Sequence, residues 1–157
     1  MKILVATDGS AFSEAAVETI CQMVRNAEDA NVKIVSAYEQ PVIAVAAPYA
    51  IPAGYNPILE KELKELATQS VSEAERKISE RFPDLKNNLT TCVLSGSPEQ
   101  AIVAEAEKWG ADLIVVGSHG YGFWERMLIG SVSNAIVRHA PCSVMVVRKS
   151  KSENSSH

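Results

Sequence analysis

The sequence predicts a single α/β domain, a five-stranded parallel sheet in the doubly wound order 3-2-1-4-5 with helices on both faces. Three observations carry that expectation. Short apolar, β-branched runs alternate with segments of helical period along the whole chain. The runs are almost unbrokenly apolar, as strands covered on both faces must be, and right-handed crossovers then place the helices. The 157 residues, 46% apolar and 22% charged, match one ordinary globular domain.

Lys2–Thr7 reads as the first buried strand, ended by the turn Asp8-Gly9-Ser10. From Ser13 the apolar positions Ala16, Val17, Ile20, Cys21 and Val24 recur at helical spacing, with Glu14 and Glu18 early and Arg25 late, as the helix dipole prefers. Val32–Tyr38 is the second strand. Glu39–Pro57 contains prolines 41, 48, 52 and 57 and predicts a long connection, read as a lid, a partner surface or a variable link. Ile58–Phe82, with Leu59, Leu63, Leu66, Ala67, Val71, Ala74 and Ile78, predicts a long amphipathic helix that Pro83 stops.

Leu89–Gly96 is the third strand. Ser97-Pro98-Glu99 opens a helix with a serine cap and proline in the first turn, and Gly110 ends it after Trp109. Ala111–Gly117 is the fourth strand, a short helix runs to about His139, and CSVMVVR after Pro141 is the fifth. The domain is therefore assigned to residues 1–148, with 149–157 a disordered polar tail.

Composition excludes some partners. A net charge of −4 with scattered Lys and Arg lacks the basic field that draws nucleic acid. The apolar start is too short for a signal peptide core, and no run approaches a membrane span, so the expectation is a cytoplasmic protein. Cys21, Cys92 and Cys142 lack metal or redox spacing and read as reduced thiols in or near the core.

The stretch GSHGYGFWERMLIGSVSN, 117–134, carries the chemistry. Gly117 and Gly120 follow a strand, where the chain can turn sharply and bring bare N–H groups toward a ligand. Gly130 precedes Ser131-Val132-Ser133 at a helix start, where first-turn N–H groups and the dipole favour an anion. Ser131 and Ser133 add hydroxyls, and the spacing reads either as a phosphate cradle or as turns with a serine cap. In the predicted strand order this loop meets the Asp8 loop at the switch point between strands one and four, the usual ligand crevice. His119 reads as a loop hydrogen-bonder or, alternatively, an acid–base group. No triad or nucleophile elbow surrounds it, and no catalytic residue is assigned.

The pattern Gly117-x2-Gly120-x9-Gly130-Ser131, with KILVATDGS at the start and RHAPCSVMVVR near the end, closely resembles the ATP-binding branch of the universal stress protein family. The resemblance covers nearly the whole chain. It implies an adenine nucleotide alpha-hydrolase-like fold that binds ATP, or ADP or AMP. It sets Ala6, Thr7 and Asp8 beside the adenosine and the backbone of Ala37 at adenine. Gly117, Ser118, His119 and Gly120 would border ribose and phosphates; Gly130, Ser131, Val132 and Ser133 would hold the phosphates. Asp8 beside a triphosphate would be repulsive unless it faces sugar or base, or shares a divalent cation with the phosphates; Mg2+ would accompany the nucleotide without a dedicated protein cage, Asp8 being the candidate ligand. The resemblance further implies a homodimer through the edge strand Ser143–Val147. A regulatory stress-response role follows. The alternatives are a slow Mg-dependent ATP hydrolase or nucleotidyl-transfer enzyme, or a structural dimer module that binds no nucleotide. Against relatives, the segment between Gly120 and Gly130 is apolar, with Phe123 and Trp124, and Arg126 is its nearby cation.

Overall fold

A computed structural model of the chain describes residues 1–24, 30–40, 56–119 and 129–149. The strands are β1 (Lys2–Ala6), β2 (Asn31–Tyr38), β3 (Leu89–Ser95), β4 (Leu113–Gly117) and β5 (Ser143–Val147). They form one five-stranded sheet in the order β3-β2-β1-β4-β5, as the sequence predicts. Every pairing is parallel, with Val5 opposite Ile34 and Val115 at the centre of the sheet. The helices are α1 (Ala11–Met23), α2 (Pro57–Arg81), α3 (Pro98–Trp109) and α4 (Ser131–His139).

Alternation along the strands sorts the core into two layers. Ile3 and Val5 of β1, Val32 and Ile34 of β2, and Val115 of β4 face α1 and α2, meeting Val17, Ile20, Val71 and Ile78. Leu4, Ala6, Val35, Ile114 and Val116 face the other way, onto Ile102 and Ala106 of α3 and Ile136 of α4. Each fully buried Ile or Leu stabilises the fold by about 1.5–3 kcal/mol. Lys33 points to the α3 side, where its ammonium meets Glu105 at 2.7 Å and lies 4.8 Å from the Trp109 ring centroid. Opposite charge and the aromatic face together compensate its partial desolvation.

Several boundaries differ from expectation for local reasons. Helix α1 begins at Ala11, because the Ser10 hydroxyl caps it by accepting the Ser13 N–H at 3.3 Å. Strand β4 begins at Leu113: Ala111 N–H still closes the end of α3 on Ala106 C=O, and Asp112 N–H makes the first bond to β1, at Lys2 C=O. After Phe82 a 3-10 turn, Pro83–Asn88, intervenes before β3. Ser97 does not cap α3: its hydroxyl bonds the Glu99 carboxylate.

The stripe expected along α2 is buried only from Ala67 onward, at Ala67, Val71, Ala74 and Ile78, while Leu59 and Leu66 are exposed. The helix has 25 residues, about 37 Å. Its neighbour β2 has 8 residues, about 26 Å. The first turns therefore overhang the sheet. Cys21 is buried, Cys92 and Cys142 partly buried, and all three are free. Residues 41–55 of the Pro-rich connection and 150–157 of the tail lie outside the described residues.

Candidate functional site

The switch point lies where β1 leads into α1 and β4 leads toward α4, at the carboxyl ends of adjacent parallel strands. The two connections touch. A Cβ at Gly117 would lie 2.6 Å from the Phe12 carbonyl carbon and oxygen and 2.8 Å from the Ser13 nitrogen. The phenyl ring of Phe12 and the imidazole of His119 stand 5.2 Å apart, tilted by 56°. This corrects the reason expected for the glycine at 117. Gly117 is not among the described glycines with positive φ, which are Gly9, Gly96 and Gly110. Its missing side chain admits the start of α1.

On the β1 side, the loop is closed by its own side chains. Thr7 is buried, its N–H donating to Val35 C=O at 2.9 Å. Its hydroxyl accepts Gly9 N–H at 3.2 Å. Asp8 is half-buried; its Oδ1 accepts Ser10 N–H at 2.9 Å, an Asx turn, and its own N–H reaches Ser13 Oγ at 3.3 Å. The N–H groups of Asp8, Gly9, Ser10 and Ser13 are thus all taken within the loop. What Asp8 adds to the crevice is an anionic acceptor. Ser13, read in the sequence as a helix start, proves to be a hub of this loop; the Ser10-x2-Ser13 spacing was the available signal.

On the β4 side, the arrangement is the reverse. Ser118, expected to border ribose and phosphates, is only 2% exposed. Its N–H donates to Val147 C=O and its carbonyl accepts Gly130 N–H, both at 2.7 Å. Its hydroxyl pairs with His119 Nδ1 at 3.1 Å. Ser133 is also buried, and its Oγ lies 3.1 Å from the carbonyls of both Ser118 and Gly130. One hydroxyl proton serves those two acceptors, so the donor expected for a phosphate is directed inward.

Helix α4 nevertheless opens toward the crevice with its backbone. Its first ladder bond is Asn134 N–H to Gly130 C=O at 3.0 Å, so the N–H groups of Ser131, Val132 and Ser133 lie outside the ladder. Gly130 has no side chain to cap them, and Ser131 is exposed. A Cβ at Gly130 would meet the Ser118 carbonyl oxygen at 3.2 Å and His119 Cα at 3.3 Å. Glycine there therefore also serves the approach of the two ends of the 117–130 loop.

Ala6 ends β1, and the β1–β2 register stops at Ala6 and Val35, two residues short of Ala37. Ala37 pairs with Leu94 of β3 on its other side. Gly120, and Phe123, Trp124 and Arg126 after it, lie outside the described residues. Among the described residues no group of three or more His, Cys, Asp or Glu could hold a metal ion. An open hollow of about 410 Å³, lined by Glu39, Gln40, Ser95, Gly96 and Ser97, lies at the ends of β2 and β3, away from the β1–β4 crevice in strand order.

Fold and crevice together define a doubly wound α/β protein whose switch point is lined by acceptors on one side and helix N–H groups on the other. The sequence model of the Universal stress protein family matches residues 1–148, and the chain belongs to that family. It is 32% identical over 152 residues to a universal stress protein of Methanocaldococcus jannaschii, covering 97% of this chain and 84% of that one. The structure resembles the universal stress protein UspA from Lactobacillus plantarum, with TM-score 0.68, 27% identity and coverage of 94% and 97%. An Arabidopsis thaliana family member solved with AMP bound has TM-score 0.64, 21% identity and coverage of 99% and 96%. Among the described residues, no helix is long and apolar enough to cross a membrane.

Proposed function

We propose that the chain is an adenine-nucleotide-binding regulator of the stress response, a cytoplasmic homodimer that holds ATP, or ADP or AMP, at the β1–β4 switch point. One observation carries the reading: the β1–α1 loop that bears Asp8 packs against Gly117 and His119, and these lie against Gly130 at a helix start whose Ser131, Val132 and Ser133 N–H groups lie outside the ladder. Phosphate oxygens are acceptors only, so they suit α4 and are repelled by Asp8. Ribose hydroxyls and the adenine amino group are donors, so they suit the Asp8 side. Ala37, two residues past the last β1 partner, leaves a main-chain edge for the base. The AMP in the Arabidopsis neighbour supports an adenine ligand.

Mg2+ bound with the nucleotide would neutralise phosphate charge. A single carboxylate, Asp8, fits that ion, which is commonly held by one or two carboxylates plus substrate phosphates. The cytoplasmic placement is supported by three free cysteines.

The dimer reading rests on β5. It is the outermost strand beyond β4. Val147 C=O bonds Ser118 N–H, so by alternation Val144 and Val146 turn their backbone groups to the open edge. The half-exposed Val137 of α4 is a further exposed apolar residue. In Val146→Pro the outward donor is lost while the β4 ladder stays intact. Sedimentation is expected to show monomers; a persistent dimer would place the interface elsewhere.

Freshly purified protein is denatured, released nucleotide is identified by mass, and emptied protein is titrated with ATP with and without Mg2+. Co-purified adenine nucleotide or micromolar binding, tighter with Mg2+, is expected. Absence of both overturns the reading, and turnover to a defined product would shift it to the hydrolase or nucleotidyl-transfer alternative.

A further inference from the structure

We propose that Ser13, in the first turn of α1, is a positioning residue for the nucleoside end of the crevice. It fixes which atoms of the β1–α1 loop are donors and which are acceptors. The inference rests on the adenine-nucleotide reading above and adds what sets the polarity of that site.

The argument is one of proton inventory. Ser13 is 4% exposed, and its Oγ has one proton and two lone pairs to satisfy there. Ser10 C=O, at 3.0 Å, can only accept, so it takes the proton. Asp8 N–H, at 3.3 Å, can only donate, so it fills one lone pair. Of the two hydroxyls left to fill the other lone pair, Thr7 Oγ1 at 3.2 Å is nearer than Ser10 Oγ at 3.5 Å, and is assigned as the donor. Thr7 Oγ1 in turn accepts Gly9 N–H. The direction of the whole chain follows: Gly9 N–H to Thr7 O–H to Ser13 O–H to Ser10 C=O.

Two consequences reach the crevice. Neither the Thr7 nor the Ser13 hydroxyl has a proton left for a ligand, and the Asp8 main chain is held from behind. The Asp8 carboxylate, tied at Oδ1 to Ser10 N–H, is then presented in one orientation. Ser13 touches no ligand in this account and acts through Asp8 and Thr7.

Isothermal titration of full-length protein with adenosine, AMP and ATP tests this, alongside Ser13→Ala, Ser13→Thr and Thr7→Val. Ser13→Ala is expected to weaken all three ligands by a similar factor, roughly tenfold, because the lost bonds lie at the nucleoside end. Ser13→Thr keeps the hydroxyl and should retain most of the affinity. Thr7→Val removes the hydroxyl that donates into Ser13 while keeping the shape. It should give a comparable loss that does not add to that of Ser13→Ala. Amide exchange offers a readout without ligand: the Asp8 amide should be protected in the unaltered protein and released in Ser13→Ala.

Binding by the unaltered chain with unchanged affinities in Ser13→Ala and Thr7→Val overturns this inference alone. So does a loss that grows with the number of phosphates. No binding of any adenine compound by the unaltered chain overturns the nucleotide reading and this inference with it.

Discussion

The two loops of the switch point leave their parallel strands side by side, yet they treat backbone donors in opposite ways. After β1, the N–H groups of Asp8, Gly9, Ser10 and Ser13 are satisfied within the loop, chiefly by side chains, and a carboxylate is added. After β4, the side chains of Ser118 and Ser133 turn inward, and the first-turn N–H groups of α4 stay outside the ladder. Polarity at a helix start is therefore set by where its small hydroxyl residues point, not by their number. Ser10 caps α1 with its side chain, whereas Gly130 cannot cap α4.

The largest effect is expected where the loops meet. Gly117→Ala puts a Cβ 2.6 Å from main-chain atoms of Phe12, which cannot rotate aside. It should destabilise the fold by about 2–3 kcal/mol and weaken every ligand together, as read by urea unfolding and titration.

Ser131→Glu separates stability from binding. A carboxylate in the first turn of α4 should stabilise the helix by about 0.3–1 kcal/mol. It should also repel phosphate, weakening ATP by tenfold or more while leaving adenosine unchanged. Parallel thermal and binding measurements would detect the opposite signs.

Ser133→Ala removes one of two donors to the Ser118 carbonyl, and Gly130 N–H remains. The expected cost is about 1 kcal/mol in denaturant unfolding, with fluorescence as the readout.

The smallest effect belongs to a third helix start at the same end of the sheet. Glu99 in the first turn of α3 is held below its ordinary value of 4.5, first by the Ser97 hydroxyl and then by its own backbone N–H. A carboxyl lowered on folding contributes stability above its unfolded value and loses it as pH falls through the folded one. Glu99→Gln should therefore flatten the stability profile only on the acid side, below about pH 4.5. Unfolding curves from pH 7 to 3 would show it.

Much of the fold was legible because it rests on local signals. Continuous apolar runs, helical spacing and Gly or Pro stops marked the five strands and four α-helices of the described residues, and the strand order came out as expected. Where α2 outruns the sheet, periodicity misled, since a pattern of leucines cannot tell how far the neighbouring strand extends. That the loops after β1 and β4 meet was legible from the strand order; the contacts that join them were not. Gly117 is glycine for the sake of Phe12, more than a hundred residues earlier, and no spacing near 117 encodes that. The burial of Ser118 and Ser133 likewise depends on contacts made only after folding. Ser97 looked like a cap and instead bonds Glu99, a choice between two nearby partners that sequence leaves open.

The account's central claim is that the nucleoside lies against Asp8 and the phosphates at the start of α4. Calorimetric titration of one protein preparation with adenosine, AMP, ADP and ATP, repeated on Ser131→Glu, tests it most directly. Affinity that climbs with each phosphate in the unaltered chain and flattens in Ser131→Glu is the predicted result. Equal affinity for adenosine and ATP, or a ladder untouched by Ser131→Glu, would contradict it.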